Sequence, residues 1–200
     1  EALENVLQEI LECPVDDGVA MTLKGFENIR DESEYPGIRV SIEAILDKTR
    51  QVMKVDITTG DQITPRAMEY SFRLLFENRS ISILAYNLET VLSEKLETIL
   101  SRSTANTRMR DYYDVYILTT LRKQDINWEV FMEAFRNTAT KRGSYGRLLE
   151  TGHDSMEEIE KSQVLAELWN RYQKKNDYVS DLSWDVVVES TWELYRKAFN

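Results

Sequence analysis

Along the first 86 residues, apolar and polar positions alternate with a period of two; past Tyr86 the period becomes about 3.6 and stays there. Val19 to Phe26 places Val19, Met21 and Leu23 on one face. Ile38 to Leu46 turns Ile38, Val40 and Ile42 inward and Arg39, Ser41 and Glu43 outward. Val52 to Thr58 sets Met53, Val55 and Ile57 against Lys54, Asp56 and Thr58. Met68, Tyr70, Phe72 and Leu74 alternate again, and Ser80 to Ala85 adds a short strand. Turns are expected at Asp16-Asp17-Gly18 and Tyr35-Pro36-Gly37. Before them, Leu3, Val6, Leu7, Ile10 and Leu11 make Ala2 to Leu11 an amphipathic helix. These strands are expected to form one mostly antiparallel or mixed sheet, with Asp56 facing the helices that follow.

The helical part opens with two consecutive helices between Tyr86 and Leu118. A third runs from Trp128 to Thr140, with Val130, Phe131, Ala134 and Phe135 apolar. Lys141 to Gly152 holds three glycines and reads as a loop. Asp154, with Glu157 three residues on, reads as the capping box of a helix reaching about Tyr172. Trp184 to Phe199 is the last helix. Strands followed by helices predict an α+β protein, with residues 1–86 sheet-rich and residues 87–200 helical.

One position breaks this pattern. Leu88, Val91, Leu92, Leu96, Ile99 and Leu100 form an apolar stripe, and at about 100° per residue Lys95 falls inside it. The next helix does the same, because Asp111 and Asp114 share the face of Val115, Leu118 and Leu121. An unpaired buried charge is costly or loses its charge. Two readings fit: a salt bridge pinning the helices, or an active-site edge where the charges meet a ligand. Either way Lys95 should reach at least one aspartate, and Lys95→Met with Asp114→Leu should recover much of the stability that Lys95→Ala loses.

Composition narrows the chemistry. There is no run of about 18 apolar residues to span a membrane, and a lone Cys13 excludes an internal disulfide and suits a reducing cytoplasm. A net charge of −10 argues against coating nucleic acid by bulk electrostatics. Local basic clusters remain, at Arg102, Arg108 and Arg110 and at Lys141, Arg142 and Arg147. His153 is the only histidine, which leaves little room for histidine catalysis or histidine metal sites. GSYGR lacks the lysine-serine ending of a phosphate loop. What remains is carboxylates on a sheet, Asp56 first among them, and a lysine with two aspartates on helices. That inventory suits magnesium and phosphates, although an outward Asp56 is also what a solvated strand face provides.

Three stretches carry a resemblance: KVDITTGD (Lys54 to Asp61), ETVLSEKLETILSR (Glu89 to Arg102) and NTRMRDYYDVY (Asn106 to Tyr116). In order, they closely resemble the AbiEii/AbiGii-type nucleotidyltransferase toxins of the DNA polymerase β-like superfamily. AFRNTATKRGS (Ala134 to Ser144) and the Trp169 and Trp184 helices look like that family's C-terminal region, so the likeness runs from about Tyr35 to the end. It implies that Asp56 is the third carboxylate of a magnesium site, orienting the attacking hydroxyl. It implies that Lys95 serves the nucleotide phosphates, that Asp111 and Asp114 belong to the last motif with Asp114 the direct participant, and that Glu94 adds to the nucleotide site. It further implies transfer of a nucleoside monophosphate from an NTP to an acceptor such as RNA or a tRNA end, and a cognate antitoxin.

The sequence also departs from that family. The family opens with a Gly-Gly or Gly-Ser turn and an Asp-x-Asp strand that holds two magnesium ions. No Asp-x-Asp occurs here, Gly143-Ser144 lies far downstream, and the adjacent Asp16 and Asp17 would point to opposite faces of a strand. The chain is therefore expected to be the C-terminal part of such an enzyme, inactive alone and weak for magnesium. The alternative is a catalytically inactive relative that binds protein or nucleic acid.

Overall fold

The computed structural model describes residues 2–15, 17–29 and 37–199. Asp16 of the first expected turn, and Tyr35 and Pro36 of the second, lie outside the described residues. The chain divides into two compact units, Glu1–Asp61 and Gln62–Asn200.

The first unit holds helix α1 (Ala2–Leu11) and strands β1 (Ala20–Ile29), β2 (Gly37–Leu46) and β3 (Thr49–Ile57). The strands form an antiparallel sheet in the order β1-β2-β3. Its register follows the alternation: Val40 pairs with Val55 on one face, and Arg39 with Asp56 on the other. Val40 and Ile42 of the central strand are buried. Asp47 takes a φ of 52° in the turn between β2 and β3, a left-handed conformation that aspartate tolerates.

The second unit begins with strands β4 (Met68–Arg73) and β5 (Ser80–Ala85), an antiparallel hairpin. Six helices follow: α2 (Leu88–Arg102), α3 (Met109–Leu121), α4 (Trp128–Lys141), α5 (Tyr145–Lys161), α6 (Gln163–Gln173) and α7 (Trp184–Phe199). Among the described residues the strands thus form two sheets, not the single sheet expected. Alternation assigns a face to each residue, but strand partners are chosen over long separations that it does not report.

Helix α2 is the axis of this unit, packing against α3, α4, α5 and α7. Asn87 caps it, accepting a hydrogen bond from the Thr90 amide. Leu92, Leu96, Ile99 and Leu100 are fully buried, each contributing about 2 kcal/mol of apolar burial. They meet Tyr112, Phe131, Phe135, Leu148, Trp169 and Val187 in one continuous core.

Helix α5 corrects the reading of Lys141 to Gly152 as a loop. It runs from Tyr145 straight through Gly146, Gly152 and Asp154, so Asp154 caps nothing, and the break before α6 falls at Ser162. Ser162 is the true cap, accepting from the Leu165 amide. Helix α4 ends at Lys141, two residues before Gly143, whose φ of 65° is left-handed. Gly152 costs about 1 kcal/mol of helix propensity, yet a Cβ there would sit 3.2 Å from the Tyr195 ring, so the glycine lets α7 approach. Packing outweighs propensity here.

Candidate functional site

Lys95 extends from α2 between two carboxylates of α3. Its Nζ lies 2.7 Å from Asp111 Oδ1 and 2.8 Å from Asp114 Oδ2. The connection between the helices sets this geometry. Ser103, with a φ of 45°, closes α2 by donating its amide to Ile99, and the Asn106 side chain accepts from the Arg108 amide to start α3. The three groups differ in depth: the side chains of Lys95, Asp111 and Asp114 are 26%, 8% and 22% exposed. Asp111 Oδ2 is buried with no hydrogen-bond partner, so Asp111 leans on Lys95 for its charge compensation. Asp114 has a second cation, Arg110 Nε at 3.8 Å.

Burial is the largest influence on Lys95 and would lower its pKa. Together, the hydrogen bonds and charges of Asp111 and Asp114 outweigh it, and the pKa ends above the ordinary lysine value. The site therefore carries a full ammonium at neutral pH. Because the folded pKa is raised, the stabilisation is fully present below the unfolded lysine value of about 10.4 and is lost as pH rises through the folded value. Wild-type stability minus that of Lys95→Met should stay flat from pH 7 to about 10 and shrink above it. Urea melts at stepped pH measure this difference, and a fall between pH 7 and 9 would contradict it.

The remaining predicted residues have partners of their own. Glu94, one residue before Lys95, turns to Arg142, with Oε1 3.3 Å from Nη2. Asp56 belongs to the first unit, where both its oxygens accept from Arg39 at 2.7 and 2.8 Å. His153 lies within α5, exposed, its ring edge-on to Trp192 at 5.3 Å.

Two polar groupings escaped the sequence reading. Glu97 is buried and accepts from Arg142 Nη1 at 2.6 Å, Ser101 Oγ at 2.6 Å and Ser144 Oγ at 2.7 Å. Thr64 is fastened to α2 and α4, its amide donating to Thr90 Oγ1, its carbonyl accepting from Asn87 and its hydroxyl from Asn137. The signal for the first was present: Glu89, Ser93, Glu97 and Ser101 recur every four residues, a polar line along a helix that is buried on more than one side.

No group of three or more histidine, cysteine, aspartate or glutamate side chains among the described residues is placed to hold a metal ion. Lys95 holds one oxygen of each helix aspartate, and Arg39 holds Asp56. Engaged in this way, these carboxylates do not by themselves gather into a magnesium site; that ion is commonly bound through one or two carboxylates, with waters and substrate phosphates completing its shell. No helix among them is long and apolar enough to cross a membrane.

Fold and site together define an α+β protein whose helical unit keeps a charged lysine, partly open to solvent, between two aspartates. The family model "Nucleotidyl transferase AbiEii toxin, Type IV TA system" matches residues 1–190, and the chain belongs to that family of nucleotidyltransferase toxins from toxin–antitoxin systems. Among solved structures, the chain resembles a presumed nucleotidyltransferase from H. pylori at a TM-score of 0.40 and 15% identity, over 97% of this chain and 71% of that one. No curated protein matches it in sequence.

Proposed function

We propose that this chain carries the nucleotide-phosphate site of a nucleotidyltransferase toxin, with Lys95 as its centre. The observation that supports this most is the placement of Lys95: fully charged, held by two aspartates, and still 26% exposed. A lysine engaged only in packing gains nothing from that opening, whereas one that meets triphosphate oxygens needs it. Asp111 sets the ammonium's position from below, and Asp114, the more exposed partner, is the group that a ligand would displace.

In the reaction we propose, an acceptor hydroxyl attacks the α-phosphorus of an NTP, the bond to the bridging oxygen breaks, and pyrophosphate leaves. The acceptor is RNA, such as a tRNA end. Lys95 and Asp114 act at the phosphates, Asp111 and Glu94 support the nucleotide site, and Asp56 stands as the carboxylate that orients the hydroxyl. Magnesium dependence belongs to the same proposal and rests on the family. The setting is cytoplasmic, opposed by a cognate antitoxin.

A second reading, an inactive relative that binds protein or nucleic acid, is favoured by the Arg39 pair that engages both oxygens of Asp56. Thermal melts separate the two. A ligand at 100 times its Kd stabilises by about 2.7 kcal/mol, and for a chain of this size each kcal/mol raises Tm by about 2–4 °C. Saturating NTP should therefore raise the wild-type Tm by several degrees and leave Lys95→Met unmoved. Equal shifts in both proteins, or none in either, would remove the nucleotide reading.

A further inference from the structure

We propose, building on the nucleotide reading, that Tyr178 is the stacking surface for a nucleobase whose phosphates lie against Lys95 and Arg110. Three tyrosines gather beside the lysine centre. Tyr113 directly precedes Asp114 on α3, and its ring lies 5.0 Å from that of Tyr178 at 55°. The Tyr178 hydroxyl meets that of Tyr172 at 2.5 Å. Tyr178 remains 59% exposed, so its ring is fixed without being covered.

The backbone beneath it is fastened too. Tyr178 sits in a 3-10 turn, Asp177–Val179. The Gln173 amide donates to the carbonyls of Val179 and Leu182 at 3.1 and 2.9 Å, and Asn176 donates to the Tyr172 carbonyl at 2.8 Å. An aromatic ring whose position is already set loses little conformational freedom when a base stacks on it.

Charge reaches this cluster through Tyr172. Arg110 is one helical turn before Asp114 and pairs with it, with its side chain 79% exposed. The Tyr172 hydroxyl feels both Arg110 and Asp114, and burial with the Tyr178 hydrogen bond pushes its pKa up. An exposed aromatic ring, joined through Tyr172 to the Arg110–Asp114 pair that also holds Lys95, matches a nucleotide unit, in which a flat base is joined to phosphates. That unit has two sources, a free triphosphate or the end of a single-stranded RNA.

Binding to the whole 200-residue chain distinguishes them. The probes are each of the four ribonucleoside triphosphates, a fluorescently labelled single-stranded RNA nonamer, and inorganic tripolyphosphate as the baseless control. Tyr178→Ala should weaken the triphosphate or the RNA by about tenfold, the scale of one lost base stack. Tyr178→Phe and Tyr178→Trp keep a ring and should bind within about twofold of wild type. Tripolyphosphate should bind all variants alike. Loss confined to the triphosphates assigns the base of the donor nucleotide, and loss confined to the nonamer assigns the acceptor strand. If Tyr178→Ala binds both as wild type does, or loses tripolyphosphate in equal measure, or wild type binds neither, stacking is overturned. Lys95→Met separates the two levels: loss of binding there with none in Tyr178→Ala defeats stacking alone, whereas full binding in both defeats the phosphate site as well.

Discussion

Lys95→Ala is expected to destabilise the helical unit by about 3 kcal/mol, the low end of what stranding a buried partner costs, since Lys95 is partly exposed. For a chain of this size that is a fall in Tm of about 6–12 °C, followed by far-UV circular dichroism. The loss comes from Asp111, which is buried with one oxygen unpartnered and, among the described residues, has Lys95 alone as its salt-bridge partner. Asp114 suffers less, because Arg110 remains beside it. The structure therefore changes which compensating pair should work. Lys95→Met with Asp114→Leu, the pair suggested by helical spacing, still leaves Asp111 stranded. Lys95→Met with Asp111→Leu removes the buried charge and should recover most of the stability. Equal recovery by the two doubles would show that depth does not control this site.

The meeting of Lys95 with Asp111 and Asp114 was legible because a helix converts spacing into angle. A lysine at the angle of Leu92 and Ile99 has few ways to be satisfied, and the next helix offered two carboxylates on its own apolar face. The Arg39–Asp56 pair was half legible: alternation put both outward, but only strand register makes them neighbours. Glu97 was hidden by the assumption that α2 has one buried face. With α3, α4, α5 and α7 all packed on it, Glu89, Thr90, Ser93 and Glu97 are buried as well. In α5 the error ran through glycine. Three glycines in Lys141 to Gly152 signal a loop when read locally, yet only Gly143 adopts a left-handed conformation, and Gly152 serves the approach of α7. Tertiary contact decided that segment, and no local pattern reports it.

Arg142→Ala is expected to cost about 2–4 kcal/mol, because it strands a second buried carboxylate. Glu97 has a side chain only 5% exposed, and Arg142 is the cation that meets it, with Nη1 at 2.6 Å. The hydroxyls of Ser101 and Ser144 would still satisfy Oε1, which keeps the loss below that of a bare charge. Glu97→Gln in the Arg142→Ala background removes the need for a cation while keeping an acceptor for the serines, so it should regain much of the stability. Glu94→Ala alone should cost under about 1 kcal/mol, since that carboxylate is partly solvated at the rim of the same guanidinium. Urea denaturation gives all three values, and an Arg142→Ala midpoint matching wild type would show that Glu97 needs no counter-charge. The consequence reaches the nucleotide site through geometry. Glu97 and Lys95 stand about 200° apart around α2, on nearly opposite sides. The Glu97 network ties one side of that helix to Arg142 and Ser144 where α4 gives way to α5, while the other side presents Lys95 to Asp111 and Asp114. An α2 released on its Glu97 side holds Lys95 less firmly. The NTP-induced rise in Tm should therefore be smaller in Arg142→Ala than in wild type and recover in the Glu97→Gln double, with Lys95 itself untouched.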